Sequence, residues 1–206
     1  MKNLLFTLAI LISFTGFSQT PITDANFTQA IETCLSIAPI DGLCASSEYG
    51  SMPNWDVSNV TNMSEAFEDR SDFDADITAW DVSSVNNMEA MFSESSSFNQ
   101  PIGDWDVSSV TNMKQMFFET YNFNQPIGDW NVSSVTNMRQ MFYYEYDGSD
   151  NTTSFNQPIG DWDVSSVTDM YGMFWLAYNF NQPIGDWDVS SVTDMEGMFY
   201  YASSFN

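Results

Sequence analysis

The sequence contains no histidine, and only 4 of its 206 residues are lysine or arginine, against 28 that are aspartate or glutamate. Phosphate binding depends on Lys and Arg, so a net charge of -24 argues against nucleic acid and anionic membranes as partners. A catalytic thiol needs a basic partner, and without histidine neither cysteine has the usual one. The charge therefore favours attraction to cations, particularly divalent ones.

The N-terminus has the pattern of an export signal. Lys2 precedes an apolar run over residues 4–17, which ends at a small-x-small cleavage pattern. About 14 apolar residues are fewer than the roughly 20 that span a bilayer, so a membrane anchor is disfavoured. The pattern predicts a signal peptide over residues 1–18, no membrane insertion after its removal, and a secreted or bacterial cell-surface location. Export in turn favours a disulfide between Cys34 and Cys44.

A repeated segment dominates the chain after residue 50. Six tryptophans mark its register at intervals of 25 residues, with one interval of 32, which indicates a seven-residue insertion. A fixed period in this range is typical of a solenoid, in which stacked units share a core that one unit cannot form alone. The register tryptophans are Trp55, Trp80, Trp105, Trp130, Trp162 and Trp187.

Within a repeat, the apolar spacing changes from extended to helical. Residues 98–102 are too few for a helix and are followed by a Gly-Asp turn, which predicts a brief extended segment. Pro101 has no N–H to donate, so any sheet should be only two or three residues wide. Two serines that can cap a helix then precede apolar residues at helical spacing: Val110, Met113, Met116 and Phe117. The prediction is a right-handed α/β solenoid with one short extended segment and one short helix per 25-residue coil.

The two ends of the repeat region differ from its middle. Phe27, Ile31 and Leu35 recur at helical spacing and predict a capping helix over residues 22–35, which a Cys34–Cys44 bridge would hold over the first coil. At the other end the sequence stops within the motif. Further coils are therefore expected in the complete protein.

The motif "FNQPIGDWDVSSVTNM" of residues 98–113, followed by M-F, resembles the 25- to 26-residue surface-protein repeats of bacteria, a BspA-like branch of the leucine-rich-repeat class. The resemblance covers about residues 50–206 in six copies, the last one truncated. The block "ITDANFTQAIETCLSIAPIDGLC" of residues 22–44 resembles the caps of such proteins. The resemblance implies a leucine-rich-repeat-like solenoid over residues 51–206 after a capping segment of residues 19–50. It also implies a secreted or cell-surface protein, often adhesive, with no shared catalytic residues.

Two repeated columns have both a structural and a functional interpretation. The tryptophans could stack sugars, but their apolar neighbours favour core packing. The aspartates beside them could bind Ca²⁺ between coils, since D-x-D spacing suits hard cations, or could cap the next element and face solvent, which is the favoured interpretation. The candidate metal ligands are Asp104, Asp106, Asp129, Asp161, Asp163, Asp186 and Asp188.

A third column follows the Met-Phe pairs, where the repeats vary. From the third coil onwards aromatic side chains gather there, and a repeat protein uses its variable positions for recognition. They could hold a glycan or the apolar groups of a partner, or could simply cover the helix ends. The candidate ligand-binding residues are Phe118, Tyr143, Tyr144, Trp175, Tyr178, Tyr200 and Tyr201.

The insertion over residues 145–153 is a polar surface loop that could carry specificity, and its Asp147, Ser149 and Asp150 could hold a cation. Because every Asp pair is repeated, no pair stands out as an active site. The hypothesis is a non-enzymatic, exported scaffold that binds or adheres to protein or glycan partners and needs no cofactor, with calcium as a possible ligand. The alternative is a structural spacer stiffened by calcium.

Overall fold

The computed structural model describes residues 19–146 and 153–206. One α-helix, α1, spans Phe27–Leu35, and a 3₁₀ turn spans Met52–Asn54. Beyond these, the described residues form turns and five isolated parallel bridges, one between each pair of successive repeats. No helix among the described residues has the length and apolarity needed to cross a membrane. The predicted signal peptide, residues 1–18, lies outside this part of the chain.

The predicted α/β solenoid is wrong. Neither the extended segment nor the helix expected in each coil forms, since the described residues contain no strand and α1 is their only α-helix. The repeats nevertheless stack in register, because each bridge joins equivalent residues of neighbouring repeats, for example Asn87 to Asn112 and Asn112 to Asn137. Stacking was predictable from the period, whereas the conformation within each repeat was not.

Backbone hydrogen bonds between repeats replace those expected within a helix. In the third repeat every second N–H donates to a carbonyl of the next repeat. Met113 donates to Asn137 at 3.0 Å, and Gln115 donates to Arg139 at 2.9 Å. Phe117 continues the series with the carbonyl of Met141 at 3.0 Å. Because these N–H groups donate to the neighbouring repeat, they cannot form the i to i-4 hydrogen bonds of an α-helix. The same bonds join the repeats into one stack.

Left-handed residues explain why the helical spacing does not give a helix. Gln115 has φ 56° and Glu119 has φ 51°, and at the position of Gln115 the later repeats have Gly172 and Gly197, also with positive φ. Each such residue closes a tight turn, as when the N–H of Met116 donates to the Met113 carbonyl at 3.2 Å. The left-handed backbone conformation costs a non-glycine residue about 1–2 kcal/mol, and the hydrogen bonds between repeats must offset this cost.

The core is a set of side-chain columns along the stack. Phe117 stacks on Phe123 of its own repeat, with 4.0 Å between the ring centroids, and on Phe142 of the next repeat, with 5.6 Å between them. The register tryptophans are buried, which confirms core packing over a sugar-stacking ramp. From Trp80 onwards their indole N–H groups also donate to carbonyls of the preceding repeat, as Trp130 does to Ile102 at 3.2 Å. This polar contact gives tryptophan a role that phenylalanine could not fill.

The Asn-Gln pair of the third and later repeats forms a polar column at the surface of the stack. The side-chain oxygen of Asn99 accepts from the N–H of Asn124 at 3.0 Å, and the Gln125 amide donates to the Asn99 carbonyl at 2.9 Å. The same contacts recur between Asn124 and the pair Asn156 and Gln157. Side chains therefore bridge the repeats here, where no strand ladder forms.

The proline and glycine of the motif meet between repeats. A Cβ built on Gly128 would lie 2.4 Å from the carbonyl oxygen of Pro158, and the same distance separates Gly103 from Pro126. Only glycine permits so close an approach. Pro101 was expected to narrow a sheet, but with no strand in the repeat it has no ladder to interrupt.

The N-terminal cap covers the first repeat. Helix α1 begins later than predicted and buries an apolar face at helical spacing: Phe27, Ala30, Ile31, Cys34 and Leu35. Cys34 and Cys44 are joined by a disulfide. Just before α1, the Asp24 carboxylate accepts from the Thr61 N–H and from the Thr61 hydroxyl, both at 2.7 Å. In later repeats a backbone carbonyl receives these bonds, such as that of Thr111 from Thr136, so Asp24 takes the place of a preceding repeat.

Candidate functional site

The aspartates next to the tryptophans are exposed, and those directly after a tryptophan are hydrogen-bonded within turns. Asp163 accepts from the Ser165 N–H at 3.1 Å and from the Ser165 hydroxyl at 2.6 Å. The serine side chain is the main cause that lowers the pKa of Asp163, and the same bonds from Ser190 lower the pKa of Asp188. These carboxylates cap turns rather than the helices that we predicted, since no helix follows them. All seven candidate metal ligands are exposed: Asp104, Asp106, Asp129, Asp161, Asp163, Asp186 and Asp188.

No metal centre is assembled by these aspartates. Within residues 19–146 and 153–206, no group of three or more Asp, Glu, His or Cys side chains is arranged to hold a metal ion. Ca²⁺ takes six to eight oxygen ligands, which requires several carboxylates and carbonyls to converge. The calcium interpretation of the acidic pairs therefore has no site in the described part of the chain.

The variable aromatic column forms a continuous stack. The Phe118 and Tyr143 rings lie 5.0 Å apart and nearly parallel, at 7°. Tyr143 stacks on Trp175 at 5.6 Å, and Trp175 stacks on Tyr200 at 3.9 Å. Tyr201 then meets Tyr200 edge to face at 4.5 Å. The equivalent position in the first two repeats holds Glu68 and Ser93, so the column is aromatic only from the third repeat onwards.

An open pocket of about 480 Å³ lies on the C-terminal half of this column. We call it the aromatic pocket. Five of its eight lining residues are among the candidate ligand-binding residues predicted above, and Tyr146 of the insertion adds a further ring. The complete lining is Tyr143, Glu145, Tyr146, Trp175, Leu176, Tyr178, Tyr200 and Tyr201. Tyr146 and Tyr201 are strongly exposed, at 72% and 63%. A pocket lined mainly by aromatic side chains and open to solvent suits a ligand with a flat or apolar group.

Two predicted ligand-binding residues do not line this pocket. Phe118 is 9% exposed and serves as the base on which the Tyr143 ring stacks. Tyr144 is 1% exposed and lies in the core beside Tyr121, with ring centroids 5.4 Å apart. Its hydroxyl is buried without a hydrogen-bond partner among the described residues, and burial raises its pKa. Sequence position alone did not distinguish Tyr144, which points inwards, from its neighbour Tyr143.

Glu145 and Leu176 line the pocket but were not predicted. Glu145 brings a carboxylate to an otherwise mainly apolar wall. Burial is the main cause that raises the pKa of the Tyr143 hydroxyl, and the negative charge of Glu145 is the next. Burial and the nearby charges of Asp69 and Glu145 likewise raise the pKa of Glu94. Glu145 directly follows two tyrosines and begins the insertion. This position was the signal in the sequence that could have placed Glu145 at the site.

The structure describes the two ends of the insertion, Glu145 and Tyr146 at its start and Thr153 at its end. Glu145 and Tyr146 line the aromatic pocket. The suggested cation ligands Asp147, Ser149 and Asp150 lie outside the described residues.

Comparison with known proteins identifies a family. The family described as "Mycoplasma protein of unknown function, DUF285" matches residues 43–152 and residues 147–206, which together are most of the chain. Neither a curated protein nor a solved structure matches the sequence. The matched region begins in the cap and contains all six tryptophan-marked repeats. The chain belongs to this DUF285 family of surface-repeat proteins.

Proposed function

We propose that the protein is an exported, BspA-like surface protein that binds a protein or glycan partner, without catalysis, through the aromatic pocket. The likeness to BspA-like proteins concerns the repeat motif and the surface role, and it does not extend to a strand and a helix in each repeat. The repeats supply a rigid stack, and the pocket supplies recognition. Adhesion is the biological role that this arrangement suits.

The observation that carries the proposal is the contrast between constant and variable positions. Constant positions, such as the tryptophans and the Met-Phe pairs, are buried or bond to a neighbouring repeat. Tyr146, which borders the variable column and lines the same pocket as Tyr143 and Trp175, is 72% exposed. Exposing large rings is unfavourable in water, so their concentration in one pocket indicates a binding surface.

The experiment compares binding by the full chain and by two variants on a glycan array and on intact cells. Replacing Tyr146 with alanine removes the most exposed ring of the pocket and should weaken partner binding by about tenfold, as truncation of a hot-spot aromatic does. Leu43→Ala is the matched control, because Leu43 is also exposed, at 60%, but lies in the N-terminal cap. Equal binding by all three proteins would contradict the proposal.

A further inference from the structure

We infer that Gly197 is a positioning residue of the aromatic pocket, because its missing side chain leaves the space in which the Trp175 indole lies. This inference rests on the proposed function and adds to it a residue that does not itself line the pocket. Three features of the described chain support it: the backbone of the turn, the space around Gly197 and the confinement of the Trp175 ring.

The backbone of the turn does not require glycine. Gly197 has φ 65° at the left-handed turn position of its repeat, and the equivalent residue of every other repeat also has positive φ. Four of those residues carry a Cβ atom, with φ between 53° and 58°: Glu65, Ala90, Gln115 and Gln140. The left-handed conformation alone therefore does not explain why this repeat has glycine.

The space at Gly197 is occupied by a ring of the preceding repeat. A Cβ atom built on Gly197 would lie 2.6 Å from Cζ3 and 2.7 Å from Cε3 of Trp175, well inside van der Waals contact. At Gly172, the same position one repeat earlier, a Cβ atom would lie 3.4 Å from Cδ2 of Tyr143, which is an ordinary contact. Alanine thus fits at Gly172, whereas at Gly197 it requires the indole to move.

The Trp175 ring has little room to move within the stack. It lies between the Tyr143 ring, at 5.6 Å, and the Tyr200 ring, at 3.9 Å between centroids. Its backbone is held as well, since the Trp175 N–H donates to the Gly172 carbonyl at 3.1 Å. A side chain in place of Gly197 would therefore displace the indole outwards, towards the pocket that Trp175 lines. Gly197 thus sets the position of this part of the pocket wall.

The test is two-dimensional NMR of the full chain, of Gly197→Ala and of Gly172→Ala, each with isotope-labelled tryptophan. The chain has seven tryptophans, and the indole N–H resonance that is lost in Trp175→Phe belongs to Trp175. The unmodified chain should show a nuclear Overhauser contact between the Trp175 ring and the Gly197 Hα protons. We expect the Trp175 resonance to shift several times further in Gly197→Ala than in Gly172→Ala.

Gly172→Ala is the matched control, because it also places an alanine in the left-handed turn. Ala90 shows that the turn accepts this residue, and the indole resonances of the six register tryptophans report whether the repeats stay folded. A Trp175 resonance that shifts no further in Gly197→Ala than in Gly172→Ala overturns the inference. An equal shift of all seven resonances also overturns it, because Gly197 would then support the repeat as a whole.

Partner binding separates this inference from the proposed function. On the glycan array and on cells, Gly197→Ala should bind about three- to tenfold more weakly than the unmodified chain, since a wall displaced by about 1 Å no longer fits its ligand. If Tyr146→Ala loses binding and Gly197→Ala does not, Gly197 is not a positioning residue and the proposed function stands. If Tyr146→Ala keeps full binding, the proposed function is wrong, and the Trp175 resonance decides whether Gly197 positions the ring.

Discussion

The indole N–H of Trp130 donates a hydrogen bond to the carbonyl oxygen of Ile102, 28 residues earlier in the chain, at 3.2 Å. The tryptophan thus spans the boundary between two repeats while its ring stays buried. The same bond joins Trp105 to Ile77 and Trp162 to Ile127. Each indole is a second donor to a carbonyl that already accepts a backbone N–H, as Ile102 does from Trp105 at 3.2 Å, so the column of tryptophans contributes polar as well as apolar stability.

Trp130→Phe tests this polar contribution. The variant keeps an aromatic ring in the column but removes one of the two donors to the Ile102 carbonyl, which still accepts from the Trp105 N–H at 3.2 Å. We expect the free energy of unfolding to fall by about 0.5–1.5 kcal/mol, the usual net contribution of one hydrogen bond, plus a packing loss for the smaller ring. Urea denaturation followed by circular dichroism measures the change. An unchanged midpoint would mean that the bond to Ile102 does not stabilise the stack.

Gly128→Ala tests the contact between repeats. Its Cβ would lie 2.4 Å from the Pro158 carbonyl oxygen, so the two repeats must move apart, and we expect a loss of about 1–3 kcal/mol in thermal or urea denaturation.

Gly185→Ala is the matched control, because nothing lies within 4 Å of a Cβ at Gly185. The alanine should leave stability unchanged or raise it by up to about 1 kcal/mol, since it restricts the unfolded chain. Equal effects of Gly128→Ala and Gly185→Ala would contradict the close approach of Gly128 to Pro158.

Acid should weaken the contact between the cap and the first repeat. The Thr61 hydroxyl is the main cause that lowers the pKa of Asp24, with the backbone N–H groups of Thr61 and Asn62 adding to it against the opposing effect of burial. A carboxyl group whose pKa is lower in the folded than in the unfolded protein stabilises the fold at pH values above its unfolded pKa. That stability is lost as the pH falls through the folded pKa.

Asp24→Ala measures this effect by comparison with the unmodified chain. The difference in unfolding free energy between the two proteins should be full at about pH 6 and should shrink as the pH falls below about 4, where Asp24 is protonated first in the unfolded chain and only at lower pH in the folded protein. Denaturation series at several pH values provide the comparison. A difference that stays constant down to about pH 2 would show that the Asp24 carboxylate charge is not what holds Thr61.

Tyr144→Phe should not destabilise the protein. The Tyr144 hydroxyl is buried without a hydrogen-bond partner in the described chain, so its removal relieves a desolvation cost while the ring keeps its packing. We expect stability to stay unchanged or to rise by about 1 kcal/mol in urea denaturation. A loss greater than about 1 kcal/mol would show that the hydroxyl has a partner. Tyr143→Phe, at the pocket, is the control for removal of an accessible hydroxyl.

Much of the candidate site could be predicted from its variable positions. Tyr143, Trp175, Tyr200 and Tyr201 follow the Met-Phe pairs in successive repeats, and stacking at a fixed period brings them together. Tyr144 could not be separated from Tyr143 by this argument. Residues equivalent to Tyr144 have positive φ in neighbouring repeats, such as Glu119 and Leu176, whereas Tyr144 does not, and its ring enters the core.

The sequence by itself determined the register of this protein and its charge. A period of 25 residues with buried apolar positions has to stack like on like, because only neighbouring repeats can cover each apolar face. The conformation inside each repeat was decided by the tertiary structure alone. The spacing from Val110 to Phe117 satisfies a helix, but the N–H groups of Met113, Gln115 and Phe117 bond to the next repeat, with Gln115 in the left-handed region. Hydrogen bonds to the next repeat, 25 residues away, outweighed the local preference for a helix, because the same turn recurs along the stack.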